Sequence, residues 1–303
     1  MKKIKVIIIT LKNSVRLNIL KERLKDIKIN YKIFYGINGK DLAINNKLDL
    51  VYSKKKTIKN IGRELSPPEI GAAASHIAVY RFIIKKKISQ AIIMEDDAYP
   101  SKLLYDYIKN FTKVSNNEIL SFYCYPSSSF LKKEPDKFIL KKKIGIYSFV
   151  THGCTNSCYQ INNFTCKKIL KLTKNKVIGL PDWPFLMNKH KINLSVTIPF
   201  ISIINDRGIS YIRSSRSSVI KENIFVKKIF SEKIISILRI PYYLSYLGYL
   251  LKFNNRDFYD EHFFQKQLFR VKNFFTNKYI DINKIYYDKK YYVHDLKKFI
   301  KYL

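Results

Sequence analysis

Ala91-Ile92-Ile93-Met94-Glu95-Asp96-Asp97-Ala98-Tyr99-Pro100 is the stretch whose reading decides the fold. The apolar run Ala91–Met94 predicts a strand covered on both faces, because such a strand has no side to show to water. Three carboxylates follow where that strand should emerge into a loop. Gathering acids costs repulsion and desolvation unless a cation or hydrogen-bond donors meet them. Ligands of open α/β sheets sit just outside the carboxyl ends of the strands. A hard divalent ion bridging a nucleotide's phosphates is therefore one natural partner for Glu95, Asp96 and Asp97. A solvated acidic turn is the other reading of the same residues.

Upstream, the β-branched run Ile4–Thr10 predicts a central strand. Asn13 or Ser14 is the expected cap of a following helix, whose apolar positions Leu17, Leu20, Leu24 and Ile27 keep helical spacing. Arg16 falls in the first turn of that helix, where cations are mildly disfavoured, so either an anion lies nearby or it is a plain surface arginine. Tyr31–Ile37 reads as a second strand ended by the turn Asn38-Gly39, and the Lys- and Asn-rich residues 40–64 read as a loop or irregular excursion. Ser66-Pro67-Pro68-Glu69 carries the marks of a helix start, a capping box with proline in the first turn. That helix runs to about Ile84. Its small residues Gly71–Ala74 permit close approach to a sheet, and Lys85–Lys87 complement its C-terminal dipole. Strand, helix, strand, helix, strand is the order of a parallel α/β sheet.

Downstream, residues 102–113 read as helix, Glu118–Tyr125 as strand, Pro126–Lys137 as loop and Lys141–Val150 as strand. A helix over Asn163–Leu172 and a strand over Asn193–Ile198 complete the regular part. Pro181-Asp182-Trp183-Pro184 holds an acid and the only tryptophan in a proline-stiffened loop, and Asn205-Asp206-Arg207-Gly208 reads as a turn.

The formal charge of +34 points to anionic partners: nucleic acid, an acidic membrane surface or a phosphorylated substrate. Plain compositional bias toward lysine also fits. The 47% hydrophobic content excludes global disorder. Met1–Thr10 is too short and polar for a secretory signal, and Ile234–Leu251 is broken by Arg239 and Pro241. The expected setting is a reducing cytoplasm. From about Ile224 the chain turns to basic, aromatic, amphipathic stretches, which either lie on an anionic membrane or pack on the preceding domain. His152, Cys154, Cys158 and Cys166 lack the paired spacing of a zinc cage.

Taken together the segments resemble glycosyltransferase family 25, the bacterial lipopolysaccharide and lipooligosaccharide glycosyltransferases. The matching pieces are Ile7–Ser14 with Arg16, Tyr35-Gly36-Ile37-Asn38-Gly39, Glu69–Ile77 and Ile93–Ala98, with weaker matches at Thr155–Ile161 and Pro181–Trp183. The resemblance implies a GT-A type fold, a Rossmann-like mixed and mainly parallel sheet flanked by helices. It would occupy residues 1–220, with a basic helical extension over 221–303. It also implies a nucleotide-sugar donor and inverting transfer of a hexose, usually galactose from UDP-galactose. The acceptor would be a lipid-linked oligosaccharide, with peripheral contact to the inner membrane's cytoplasmic face.

In such a displacement Mn²⁺ or Mg²⁺ at the acids would offset charge on the leaving diphosphate. The resemblance makes Asp97, with Glu95, the metal ligands. Thr10, Leu11, Arg16, Asn38, His76, Glu95 and Asp96 line the donor site in this reading. His76 is given proximity to the donor and no chemical role, since a lone buried histidine is more often a satisfied structural group. The attacking hydroxyl needs a base; Asp182 is the first candidate, Asp206 the fallback, and Trp183 would stack on the acceptor sugar. A nucleic-acid-binding protein is the rival suggested by charge, although no groove-entering motif is present and no nucleic acid is expected as partner. A metal-dependent phosphotransferase using the same acids is the second, and an inactive relative the third.

Overall fold

The apolar run that precedes the acids is a strand, third from one edge of an eight-stranded sheet. A computed structural model of the chain describes residues 4–61, 64–110, 112–124, 130–150, 157–179, 192–205, 279–282 and 285. In chain order the first elements are β1 (Lys5–Thr10), α1 (Arg16–Asp26), β2 (Tyr31–Tyr35), α2 (Gly39–Ile44), α3 (Leu48–Val51), α4 (Lys54–Ile61) and α5 (Pro67–Lys85). Then come β3 (Gln90–Glu95), β4 (Ala98–Pro100), α6 (Leu103–Lys109), β5 (Glu118–Ser121), β6 (Phe130–Lys132), β7 (Lys137–Ile139) and β8 (Ile144–Ser148). Last are β9 (Cys158–Asn162), α7 (Asn163–Thr173), β10 (Asn193–Ile198), β11 (Ser202–Ile204) and β12 (Tyr279–Asp281).

The sheet order is β2-β1-β3-β9-β5-β10-β8-β7. β1 runs parallel to β2 and β3, and β5 to β10, while β9 and β8 oppose their neighbours. Six of the eight strands therefore point the same way, which is the mixed, mainly parallel α/β sheet expected. Alternation along the strands builds two cores. Ile8, Ile92 and Met94 face α1 and α6 through Leu17, Leu20, Leu24, Leu104 and Tyr107. Ile7, Ile9 and Ile93 face α5 and α7 through Ile70, Ala73, Ile77, Tyr80, Cys166 and Ile169. Ile92, Ile93 and Met94 are fully buried, each contributing roughly 1.5–3 kcal/mol of transfer free energy.

α5 begins as its capping box predicts: the Glu69 carboxylate accepts the Ser66 N–H at 2.9 Å, with proline in the first turn. The helix then lies directly on the loop leaving β2. Gly39 and Gly71 meet backbone to backbone there. A Cβ on Gly39 would strike the Pro67 carbonyl, and one on Gly71 the Gly39 amide. One turn on, the Ser75 hydroxyl accepts the Ile37 N–H at 2.8 Å and donates to the Gly71 carbonyl at 2.7 Å. Small residues thus let α5 approach within reach of the strand ends.

Three expectations change. Within the stretch expected as a loop or irregular excursion, residues 40–61 carry the short helices α2, α3 and α4; Asn38 caps the first by accepting the Lys40 N–H at 3.1 Å, and lysine-rich composition hides the turns. α1 starts after Val15 with no side-chain cap, so neither Asn13 nor Ser14 serves there. The expected loop 126–137 contains β6. Of the C-terminal region, β12 pairs antiparallel with β6, and Ile282 and Ile285 join the core on the α5 side. This portion is a strand packed on the sheet domain, and the boundary expected at 220/221 lies outside the described residues. Among the described residues no helix is long and apolar enough to cross a membrane.

Candidate functional site

The pleat of β3 sends its consecutive acids to different sides. Glu95 shares the face of Ile93 and turns toward α5, whereas Asp96 follows Met94 toward α1. Asp96 and Asp97 form the turn between β3 and β4. Pairing of β4 with β11 fixes that turn, and Asn205, which closes it, donates its N–H to the Asp97 carbonyl at 2.7 Å. Sequence adjacency therefore becomes three separate environments.

Asp96 is buried and fully engaged. Thr10, at the end of β1, donates its hydroxyl to Oδ2 at 2.9 Å, and Arg16 Nη2 reaches Oδ1 at 2.7 Å. The arginine in the first turn of α1 is thus offset by the protein's own anions. Its other arm, Nη1, lies 3.4 Å from Asp97 Oδ2. Asp97 Oδ1 is buried with no hydrogen-bond partner. Burial, then the Glu95 charge and more weakly the Asp96 charge, push the Asp97 carboxyl from an ordinary 3.8 up to about 7, with Arg16 pulling the other way. An acid held in that condition is short of positive charge.

Glu95 faces His76. Its Oε1 lies 3.0 Å from His76 Nε2, while Nδ1 of the same ring meets the Tyr159 hydroxyl at 2.7 Å. Tyr159 in turn meets the Tyr80 hydroxyl at 2.7 Å. His76 is a satisfied buried histidine, as expected, and it also touches the acidic cluster. Tyr80 is absent from the residues that the sequence singles out, and Tyr159 appears there only inside the weaker match Thr155–Ile161. Tyr80 stands four residues beyond His76 on α5, one turn along the same face, which is a legible signal. Tyr159 comes from β9, opposite Ile93, and no local pattern announces that pairing.

Leu11 follows β1; its carbonyl accepts the Ser14 N–H at 3.2 Å and lies 3.1 Å from the Thr10 hydroxyl oxygen. Asn38 uses its side-chain oxygen to cap α2. Both stand where the strands β1 and β2 give way to loops, at the same end of the sheet as the acids. Asp182, Trp183 and Asp206 lie outside the described residues, as do His152 and Cys154. Cys158 and Cys166 are buried free thiols. A shallow cleft at the opposite end of the sheet is lined by Gln90 and Asn162, whose amides are already engaged with Val114 and Ser115.

Among the described residues no three His, Cys, Asp or Glu groups gather as a protein-only metal cage. The acids fit a different arrangement, in which one or two carboxylates and a ligand's phosphates share a hard cation. Asp97, with its unpartnered buried oxygen, and Glu95, with 30% of its side chain exposed, are the residues that would hold it. Asp96 has both oxygens committed to Thr10 and Arg16 and acts as the anchor for the guanidinium.

No curated protein matches the chain in sequence. Among solved structures, mannose-1-phosphate geranyltransferase from Thermus thermophilus is 10% identical, covering 65% of this chain and 73% of that one at a TM-score of 0.37. A glycosyltransferase involved in glycosylation of the major capsid of PBCV-1 is 11% identical, covering 64% and 81% at 0.33. The inositol-1-phosphate CTP transferase from T. maritima is 11% identical, covering 65% and 85% at 0.35. The profile of glycosyltransferase family 25 (LPS biosynthesis protein) matches residues 3–182, a span that runs from β1 through the acidic turn as far as Asp182. With well over half of its length in that match, and the acids and the α5 motif inside it, the chain belongs to glycosyltransferase family 25.

Proposed function

We propose that this glycosyltransferase moves a hexose, galactose from UDP-galactose, with inversion onto a lipooligosaccharide or another cell-surface glycan. The observation that carries the metal-assisted form of this reading is Asp97: a buried carboxylate oxygen without a donor, in a site with a net shortage of positive charge. Mn²⁺ or Mg²⁺ bound there would supply electrostatic neutralisation of the departing diphosphate. Arg16 holds Asp96 and Asp97 in place, so the acids do not repel one another out of the site. Thr10, Leu11 and Asn38, at the strand ends beside the acids, are positioned to border the nucleotide. Asp182 takes the proton from the acceptor hydroxyl as its oxygen bonds to the anomeric carbon and the bond to UDP breaks, with Asp206 as the second candidate. Trp183 offers a flat apolar face to the acceptor sugar. The basic, aromatic region beyond residue 220 is suited to the anionic face of a membrane carrying the lipid-linked acceptor, which would place the enzyme on the cytoplasmic side.

The test is a hydrolysis screen of UDP-galactose, UDP-glucose and UDP-N-acetylhexosamines with Mn²⁺ and with EDTA. Slow donor hydrolysis reveals the sugar even while the acceptor is unidentified. UDP-galactose should be consumed fastest, and only with metal. Turnover of no sugar nucleotide, or turnover indifferent to EDTA, overturns the proposal.

A further inference from the structure

A chain of buried hydroxyls ends on one of the site acids. Tyr80, Tyr159 and His76 are almost wholly withdrawn from water, at 0%, 1% and 1% exposure. Their polar atoms are spaced 2.7 Å from Tyr80 to Tyr159, 2.7 Å from Tyr159 to His76 Nδ1 and 3.0 Å from His76 Nε2 to Glu95 Oε1. Burial pushes both phenols well above their ordinary value, so each keeps its proton and can donate.

The direction of the chain follows from what stands at its end. A carboxylate oxygen only accepts, so the proton between His76 and Glu95 belongs to Nε2. A ring carrying that single proton accepts the Tyr159 O–H at Nδ1. The Tyr159 oxygen accepts in turn from Tyr80. Three protons point one way, toward Glu95, and each bond polarises the next in a low-dielectric interior. Three polar side chains in a core are costly to bury, and apolar residues of similar shape would fill the same space more favourably. The compensation lies at the exposed end, where Glu95 keeps 30% of its side chain open to the site.

We propose that Tyr80, Tyr159 and His76 form a one-way hydrogen-bond relay that positions Glu95 for the metal-bound donor, with His76 and Tyr159 as positioning residues for transfer. This rests on the reading of Glu95 as part of the donor site.

Two measurements on the full chain test it. The first needs no activity: long-range ¹H–¹⁵N spectra of the five histidines, with His76 assigned through His76→Gln. A neutral ring with its proton on Nε2 alone is expected. A proton on Nδ1, or on both nitrogens, turns the tyrosine hydrogen bonds away from Glu95 and overturns the relay. The second is the Mn²⁺ concentration for half-maximal donor hydrolysis. It should rise about tenfold in Tyr159→Phe, more in His76→Leu and less in Tyr80→Phe, the scale seen when partners behind a metal ligand are removed. His76→Gln, which retains an N–H for Glu95, should recover part of the loss. A purely structural network would order the variants by lost stability and leave the Mn²⁺ requirement unchanged, which would also overturn the relay. Absence of any Mn²⁺ response in the unaltered enzyme defeats the functional reading instead, and the histidine spectra still judge the relay.

Discussion

Replacing Asp97 by asparagine should make the metal-free protein more stable while removing its metal-stimulated turnover. The wild-type carboxyl titrates near 7 when folded against 3.8 ordinarily, and burial is the main cause. Between those values the folded state binds more protons than the unfolded one, so stability falls as pH rises. The cost is absent below about pH 4 and complete above about pH 7. At 1.36 kcal/mol per pH unit the gap sets a ceiling of about 4 kcal/mol. The side chain keeps 19% of its surface exposed, and the raised effective dielectric brings the expected value to about 2–3 kcal/mol. An amide does not titrate. Urea unfolding of both proteins at pH 4.5 and pH 8, in EDTA, should therefore show the asparagine variant gaining about 2–3 kcal/mol relative to wild type across that interval. Adding Mn²⁺ with UDP at pH 8 should raise the wild-type midpoint and leave the variant's nearly unmoved. Parallel pH dependences would refute the claim that Asp97 is held against its own charge. Equal stabilisation by Mn²⁺ and UDP would remove it from the metal site.

Arg16→Met takes away the 2.7 Å partner of buried Asp96 but leaves Thr10, so unfolding free energy should drop by about 2–3 kcal/mol, somewhat under the usual cost of breaking a buried pair. Arg16→Lys restores the charge without the two-armed fork and should recover only part of that in the same urea titration. Gly71→Ala forces a methyl against the Gly39 backbone, which cannot yield as a side chain would; a loss of about 1–3 kcal/mol or more is expected by denaturant unfolding. Asp182→Asn should bind UDP and Mn²⁺ normally in calorimetry yet lose transfer by roughly 100-fold or more, and full transfer activity in that variant would shift the base to Asp206.

Much of the frame can be read locally. A run of apolar residues has only one way to be satisfied at both faces of a sheet, so Ala91–Met94 announces a central strand, and the acids after it announce where that strand ends. Ser66 and Glu69 satisfy each other three residues apart, and the start of α5 is accordingly plain from the sequence. Residues 40–64 resemble a loop in sequence because their helices are one or two turns long, and the first of them is held by the close approach of Gly39 to α5, which composition does not report.

Which partners the acids meet is settled only in three dimensions. Glu95 and Asp96 are neighbours in the chain, yet the two-residue period of a strand gives one to His76 and the other to Arg16 and Thr10. The partners come from 19, 80 and 86 positions away, and Tyr159 lies 83 positions from the histidine it holds. Local preferences specify which segments are strands and helices. Strand order and register decide which side chains meet, because those depend on closing the whole sheet around two cores at once.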